Sequence, residues 1–231
     1  GCFGACDGSI IALASGGTAS GAYNYNWSGG IAGNTDAQAQ NVCAGNYTLV
    51  ITDDNGCTVS ENLTITEPVQ VIINSAIVTP EICPADCNGT VTISGTNVVN
   101  YSIDGGTTFQ GTGDFTGLCP GNYNIVVEDA NGCQITQLES VDPAPGIDAE
   151  FTFTPESAPQ LSAEFETTNL SFNATTYEWY TSSGETSVEE NPIFNFDAST
   201  PAGEYPICLV ATNANGCVDT NCYNVTITQD N

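Results

Sequence analysis

Apolar and polar residues alternate along short segments of the chain, and no segment shows helical periodicity. The alternation is clear at Tyr47, Leu49 and Ile51, and it recurs in residues 205–209. A period of two residues is typical of half-buried strands, and Gly-rich turns separate the segments. The pattern predicts an all-β protein built from short antiparallel strands.

The cysteines recur in one frame and divide the chain into repeats. A Cys-x3-Cys-Asx-Gly segment, here called the opening loop, occupies residues 2–8 and again residues 83–89. An Asx-x-Asn-Gly-Cys segment, here called the closing turn, occurs three times, at residues 53–57, 129–133 and 213–217. Internal periodicity of this kind indicates tandem modules.

Polar segments punctuated by proline mark the boundaries between the repeats. They lie around Pro68 and at residues 142–146, which predicts three modules, residues 1–67, 68–145 and 146–231. Modules of this size with many short strands are typical of immunoglobulin-like sandwiches. We therefore expect three tandem immunoglobulin-like antiparallel β-sandwich modules in a row.

Aromatic residues predict the core of these modules. Trp27 and Trp179 take the place of the core tryptophan of a central strand, and Gly-x-Tyr triplets end at Tyr47, Tyr123 and Tyr205. A tyrosine corner is expected at such triplets. Core packing is the expected role of all these rings, and a platform for stacking carbohydrate is the alternative.

The first predicted module begins differently from the second. A β-rich segment, residues 69–78, precedes Cys83, whereas a single residue precedes Cys2. We therefore expect residues 69–78 to pair within the second module, and the first module to lack its opening strand and to have a vacant sheet edge. The missing strand is expected from a preceding part of a longer polypeptide, and donation by a neighbouring subunit is the alternative.

The charge of the chain excludes several classes of function. Lys, Arg and His are absent, 27 residues are acidic, and the formal net charge is -27. Without cationic side chains the protein has no footprint for nucleic acid and no electrostatic attraction to anionic lipid. Ser or Cys nucleophiles have no His or Lys base. We expect no enzyme, no resident cofactor, no nucleic-acid partner and no membrane insertion.

The eleven cysteines predict disulfides, since no His accompanies them, and therefore an oxidising, extracellular compartment. A cysteine after an Asn-Gly turn starts the last strand of a module, near the entry of the first strand. On this basis we predict four disulfides in the first two modules, Cys2–Cys57, Cys6–Cys43, Cys83–Cys133 and Cys87–Cys119.

The third module has three cysteines, which cannot all pair internally. A three-residue loop at residues 214–216, with Gly216 in the left-handed region, places Cys208 opposite Cys222. We predict a cross-strand disulfide between these two. Because residues 146–200 contain no further cysteine, Cys217 is expected to be a free, partly buried thiol.

Residues 2–68 and 83–143 resemble the SprB-type repeat of the gliding-motility adhesins of Bacteroidetes. The shared features are a Cys-rich Asp-Gly-Ser opening, a Tyr-x-Trp strand followed by Gly-Gly, a Gly-x-Tyr triplet and an Asp-x-Asn-Gly-Cys turn, with Ile103 in the tryptophan position of the second copy. The third module resembles a PKD domain, although Tyr-Thr-Ser-Ser-Gly follows Trp179 where the PKD hallmark is Phe-Gly-Asp-Gly.

The resemblance implies a segment of a very long secreted adhesin filament at the cell surface, associated with the outer membrane, exported by the type IX system and moved during gliding. Its implied partners are neighbouring repeats of the same chain, the gliding and secretion machinery, and an external surface or polysaccharide. Like charges extend such a fibre, and trypsin-like proteases find no Lys or Arg to cleave. A stiff, protease-resistant shaft is the expected role.

The alternative is an adhesive module that binds calcium or a glycan, or an accessory domain of a secreted hydrolase. Calcium takes six to eight oxygen ligands, and Asp53 and Asp54 bring two carboxylates together in one loop. The same loop suits a hairpin turn, and residues 213–216 keep its pattern without any carboxylate. Turn formation is therefore the expected role of these loops.

Overall fold

The computed structural model describes residues 1–17, 23–31 and 35–230. Within these residues the protein consists of β-strands, turns and one single-turn 3-10 helix, Gln160–Ser162, and it has no α-helix. No described helix is long and apolar enough to cross a membrane. The predicted all-β class is confirmed.

The strands follow one another at short intervals along the chain. The first five are β1 (Gly8–Ile11), β2 (Asn24–Trp27), β3 (Gln38–Val42), β4 (Gly45–Thr52) and β5 (Thr58–Ile65). The next six are β6 (Ile72–Thr79), β7 (Gly89–Thr96), β8 (Asn100–Ser102), β9 (Asp114–Leu118), β10 (Gly121–Glu128) and β11 (Gln134–Val141). The last eight are β12 (Phe151–Thr154), β13 (Ser157–Pro159), β14 (Glu164–Asn169), β15 (Thr176–Thr181), β16 (Thr186–Ser187), β17 (Ile193–Asn195), β18 (Gly203–Thr212) and β19 (Val218–Thr228).

The chain forms two compact units. The first comprises residues 1–77, 92–114 and 123–139, and the second comprises residues 78–91, 115–122 and 140–231. Strands β1–β5 and β8 lie wholly in the first unit and β12–β19 wholly in the second, while β6, β7, β9, β10 and β11 contribute residues to both. The division into three modules stays a prediction.

The first unit contains a β-sandwich of two small sheets. Strand β1 pairs antiparallel with β3, and a second antiparallel sheet has the order β2-β4-β5. Ile10 of the first sheet packs in one core with Trp27, Tyr47 and Leu49 of the second. The Trp27 indole N–H donates a hydrogen bond to the Asp36 carbonyl oxygen, at 2.9 Å, so the buried ring keeps a polar partner.

The strand that precedes the second opening loop is paired, as predicted. Strand β6 lies beside β7 in a sheet of order β6-β7-β9, and β7 begins at Gly89 of the opening loop. Strand β1 begins at the corresponding Gly8, but among the described residues its sheet contains β3 as the second and last strand. Strand β7 pairs with β6 along one edge and with β9 along the other. Strand β1 corresponds to β7, and among the described residues it pairs with β3 but has no partner along the edge that corresponds to the β6 side.

The second unit contains a larger sandwich. A sheet of order β12-β14-β17 packs against a five-stranded sheet of order β13-β19-β18-β15-β16, in which β13 pairs parallel to β19. Phe151, Phe165 and Phe194 from the smaller sheet meet Trp179 and Leu209 from the larger one. The rings of Phe151 and Trp179 lie edge to face with centroids 4.9 Å apart, a favourable aromatic geometry.

Both predicted core tryptophans are buried, Trp27 at 2% and Trp179 at 1% exposure. The expectation of a central strand holds for Trp179, because β15 lies between β18 and β16. For Trp27 the described residues give β2 one neighbour, β4, in a sheet of order β2-β4-β5. The counterpart of β16 would fall near residues 32–34, which lie outside the described residues, so the central position of β2 stays a prediction.

Two of the predicted tyrosine corners are present. The Tyr47 hydroxyl donates to the Cys43 carbonyl oxygen at 2.7 Å, and the Tyr205 hydroxyl donates to the Pro201 carbonyl oxygen at 2.8 Å. Each bond reaches back four residues and fastens the start of a long strand to the loop before it. The fold is thus an all-β, immunoglobulin-like arrangement of antiparallel sheets.

Candidate functional site: the disulfide framework

Three disulfides agree with the pairs predicted from the sequence. They are Cys6–Cys43, Cys87–Cys119 and Cys208–Cys222. The first two tie each opening loop to the start of a long strand, β4 or β10. The third joins residues that face each other across the β18–β19 ladder, in the predicted register, and Gly216 has the expected positive φ of 83°.

The remaining cysteine predictions are wrong. Cys2 bonds to Cys133 and not to Cys57, and Cys83 bonds to Cys217 and not to Cys133. Cys217 is therefore not a free thiol. Among the described residues the free cysteine is Cys57, which is exposed.

The physical reason for this difference is the length of strand β4. The bond to Cys43 holds Cys6 where β4 begins, whereas Cys57 lies beside Asp53, beyond the end of β4. At the rise of a strand, the ten residues from Cys43 to Asp53 span roughly 30 Å. The four residues from Cys2 to Cys6 reach at most about 14 Å. Cys2 therefore cannot reach the closing turn of its own repeat.

The three closing turns share one hydrogen-bonded framework. In residues 53–57 the Asp53 Oδ1 atom accepts the N–H of Asn55 at 3.0 Å and that of Cys57 at 2.8 Å. The same pair of bonds measures 2.8 and 2.9 Å in residues 129–133, and 2.9 and 3.0 Å in residues 213–217. The turn glycines have φ of 81°, 82° and 83°. Each turn thus presents its cysteine in the same way.

The two long-range disulfides also have the same surroundings. Their Cα–Cα distances are 5.5 Å for Cys2–Cys133 and 5.4 Å for Cys83–Cys217. In each, the closing-turn sulfur lies near the carbonyl oxygen of the residue before the opening loop, 3.9 Å from that of Gly1 and 3.2 Å from that of Ile82. The closing-turn cysteines are buried, at 8% and 4% exposure. One docking geometry therefore occurs twice.

In the loops considered as calcium sites, a carboxylate oxygen of the first residue accepts hydrogen bonds from backbone N–H groups of the turn. Asn213 makes with an amide oxygen the bonds that Asp53 and Asp129 make with a carboxylate, so the turn does not need a charge. In Asp129 the N–H of Cys133, with that of Asn131, lowers the pKa of the carboxyl below its usual value. Within residues 1–17, 23–31 and 35–230, no group of three His, Cys, Asp or Glu side chains is placed to hold a metal ion.

A buried carboxylate that the sequence did not reveal supports the second opening loop. Glu81 is 4% exposed, and its Oε1 atom accepts the N–H of Cys87 at 3.0 Å. Its Oε2 atom accepts the N–H of Ala144 at 3.4 Å, and its own N–H donates to the Asp142 carbonyl oxygen. Glu81 therefore ties the loop to the segment that follows β11.

We expect Glu81→Ala to lower the free energy of unfolding by roughly 1–3 kcal/mol, because two backbone N–H groups lose their acceptor. Glu81→Gln, which retains one carbonyl acceptor, is expected to lose less. Urea unfolding of the three proteins measures the effect, with exposed Glu178→Ala as the matched control. A loss in Glu81→Ala no larger than in the control would contradict the role of this carboxylate.

Comparisons with known proteins identify no family for this chain. No known family pattern matches it, and no curated protein matches it. Among solved structures, it is similar to the PKD1 domain of the Vibrio cholerae metalloprotease PrtV, with 25% identity, 36% of this chain and 98% of that chain covered, and a TM-score of 0.31.

Two adhesin structures are also similar to this chain. One is a Ca²⁺-stabilized adhesin with which an Antarctic bacterium binds ice, with 15% identity, 90% of this chain and 65% of that chain covered, and a TM-score of 0.45. The other is a tetra-tandem repeat from the extending region of a large adhesion protein, with 11% identity, coverage of 89% and 66%, and a TM-score of 0.26. At these low scores the likenesses carry no inference about ligands.

Proposed function

We propose that this chain is a segment of a long secreted adhesin filament and serves as its tension-bearing, non-catalytic shaft. In this proposal residues 1–67, 68–145 and 146–231 are three tandem modules. The filament lies outside the cell, attached to its outer membrane, and acts in gliding and surface attachment.

The observation that carries the proposal is the pair of long-range disulfides. Cys2–Cys133 and Cys83–Cys217 span 131 and 134 residues, and each joins an opening loop to the closing turn of the next predicted module. Such a bond passes a pulling force from one module to the next through covalent linkages. In a shaft under tension, such bonds limit how far the chain between them can extend.

The charge of the chain supports the same role. Its acidic side chains have no Lys, Arg or His to neutralise them, so long-range forces between side chains are repulsive. Repulsion keeps neighbouring filaments from bundling. The lack of Lys and Arg removes every site for trypsin-like proteases, and the disulfides suit an oxidising exterior.

Gliding enters the proposal through the resemblance of residues 2–68 and 83–143 to SprB-type repeats. It implies export by the type IX system and contact with the gliding machinery, with neighbouring repeats and an external surface or polysaccharide as the further partners. The shaft segment itself needs no pocket for that surface, since its task is to hold an adhesive part away from the cell.

The proposal is tested on living cells that produce the protein. Fluorescent Fab fragments raised against residues 1–231 are expected to label the cell surface, and the label is expected to travel along the cell body while the cells glide. Fab fragments absorbed beforehand with the purified chain are the control. A label that stays fixed on gliding cells would refute the role in gliding, and a label confined to the cell interior would refute the filament.

A further inference from the structure

Cys57 shares the turn geometry of the other two closing-turn cysteines but differs from them in bonding and in exposure. Its turn has the same backbone and side-chain hydrogen bonds as residues 129–133 and 213–217. Yet Cys133 and Cys217 are bonded and buried, whereas Cys57 is free and exposed. The cysteine of the closing turn therefore forms a disulfide with an opening-loop cysteine in two of the three repeats.

Among residues 1–17, 23–31 and 35–230, the surface around Cys57 leaves space for such a loop. A cavity of about 380 Å³ beside it is lined by residues that include Leu13, Tyr23, Asp53 and Val59. Leu13 is 92% exposed and Val59 is 54% exposed, so apolar area here faces solvent. At the third closing turn, Cys83, Pro84 and Asp86 of the opening loop form one wall of the corresponding cavity, against residues 216–219.

We propose that Cys57 is the acceptor for the opening loop of a further module, joined ahead of residue 1, whose first cysteine forms a disulfide with it. The two observed bonds show on which side of Cys57 its partner must lie. In each bond the opening-loop cysteine precedes the closing-turn cysteine in sequence, as Cys2 precedes Cys133 and Cys83 precedes Cys217. The closing turn of each module is then bonded to the module before it. The inference rests on the tandem-module part of the proposed function and does not depend on gliding.

The bond forms by thiol–disulfide exchange with a small-molecule disulfide as the oxidant. The Cys57 thiolate attacks this disulfide, forms a mixed disulfide and releases one thiol. The opening-loop thiolate then attacks the Cys57 sulfur and releases the second thiol. Two cysteine thiols are oxidised and one small disulfide is reduced to two thiols, so electrons and protons balance.

A tandem protein tests the proposal. Residues 1–81 are placed ahead of Gly1 of the full chain, so that Glu81 of the added copy precedes Gly1 as it precedes Ile82 in the natural order. The added copy carries Cys57→Ser, which removes its own closing-turn thiol, and Phe3→Leu, which marks its opening loop by mass. The tandem is folded with reduced and oxidised glutathione, alkylated under denaturing conditions, and digested with Asp-N and Glu-C, which cut at Asp54 and Glu61 on either side of Cys57.

We expect no alkylatable thiol in the tandem, against one per chain in the unmodified protein. We also expect a species in which the mass-marked residues 1–6 are linked to residues 54–61 through Cys57 and to residues 36–52 through Cys43. Changing Cys2 of the added copy to Ser should restore one thiol, at Cys57. An alkylatable Cys57 in the tandem, or its bonding to the unmarked Cys2, would overturn the proposal. In the same digest, one disulfide-bonded species made of residues 82–85, 205–218 and 219–229 reports that Cys83, Cys208, Cys217 and Cys222 have paired.

A pair of full-length variants decides the question if the tandem does not fold. Cys133→Ser combined with Cys57→Ser leaves Cys2 as the free thiol on an otherwise complete chain. Mixed with the unmodified protein in the same glutathione buffer, it is expected to form a Cys2–Cys57 link between chains in preference to Cys57–Cys57 dimers. A predominance of Cys57–Cys57 dimers would show that this turn pairs two copies and would overturn the proposal.

Discussion

Pulled by its two ends, the oxidised protein is expected to extend to roughly 130 Å, whereas the reduced protein extends to roughly 800 Å at about 3.5 Å per residue. The short length follows from the covalent path between the ends. That path crosses from Cys2 to Cys133 and from Cys119 to Cys87, and then from Cys83 to Cys217. It contains roughly 35 of the 231 residues, so most of the chain never bears the force even when every strand has unfolded.

Single-molecule force spectroscopy measures this extension directly, and two double variants separate the contributions. Cys83→Ala with Cys217→Ala opens the second crossing and is expected to lengthen the path to roughly 300 Å. Cys208→Ala with Cys222→Ala is the matched control, because that disulfide lies off the path and its loss leaves the length unchanged. An oxidised protein that extends as far as the reduced one would refute the long-range pairing and, with it, the tension-bearing shaft.

The second large effect is on stability, and it is expected to be confined to one unit. Removing Cys83–Cys217 by the double change to alanine should lower the free energy of unfolding of the second unit by roughly 5 kcal/mol. The reason is that the change opens a loop of about 100 residues, which raises the chain entropy of the unfolded state. Trp179 lies in the second unit and Trp27 in the first, so each unit has its own fluorescent probe.

The measurement uses denaturant unfolding in two backgrounds. In Trp27→Phe, where Trp179 reports, the alanine pair should shift the midpoint strongly. In Trp179→Phe, where Trp27 reports, the same pair should shift it little. The reciprocal pair, Cys2→Ala with Cys133→Ala, is expected to reverse the pattern, because that bond lies in the first unit. Equal shifts of both probes would contradict this assignment.

Much of the local structure could be predicted because it depends on neighbours in sequence. The alternation around Leu49 and Leu209 placed two buried strands, since the side chains of a strand point to opposite faces in turn. Gly216, which favours a positive φ, set the β18–β19 register and so brought Cys208 opposite Cys222. The Gly-x-Tyr triplets likewise located the tyrosine corners at Tyr47 and Tyr205.

The pairs predicted for Cys2 and Cys83 are wrong, and the sequence itself holds two signals against them. The predicted bonds Cys2–Cys57 and Cys6–Cys43 exclude each other, because the predicted strand between Cys43 and the closing turn is longer than the chain from Cys2 to Cys6 can reach. A second signal is that the sequence has two opening loops but three closing turns, so one closing-turn cysteine must remain without an opening-loop partner. If each opening loop pairs with the closing turn of the following module, the unpaired cysteine is Cys57 and not Cys217.

The sequence by itself determined the all-β class, the repeats, the acidic exterior and the bonds within a module, because each depends on strand periodicity, composition or a turn of a few residues. Only the tertiary structure decided that an opening loop meets the closing turn of the following repeat, and that Glu81 is buried beneath that loop. Both depend on which segments lie at the same end of a sandwich. The contact between Glu81 and Ala144 spans 63 positions and the two disulfides span 131 and 134, so they form only when whole sheets pack, and strand periodicity and turn composition do not encode them.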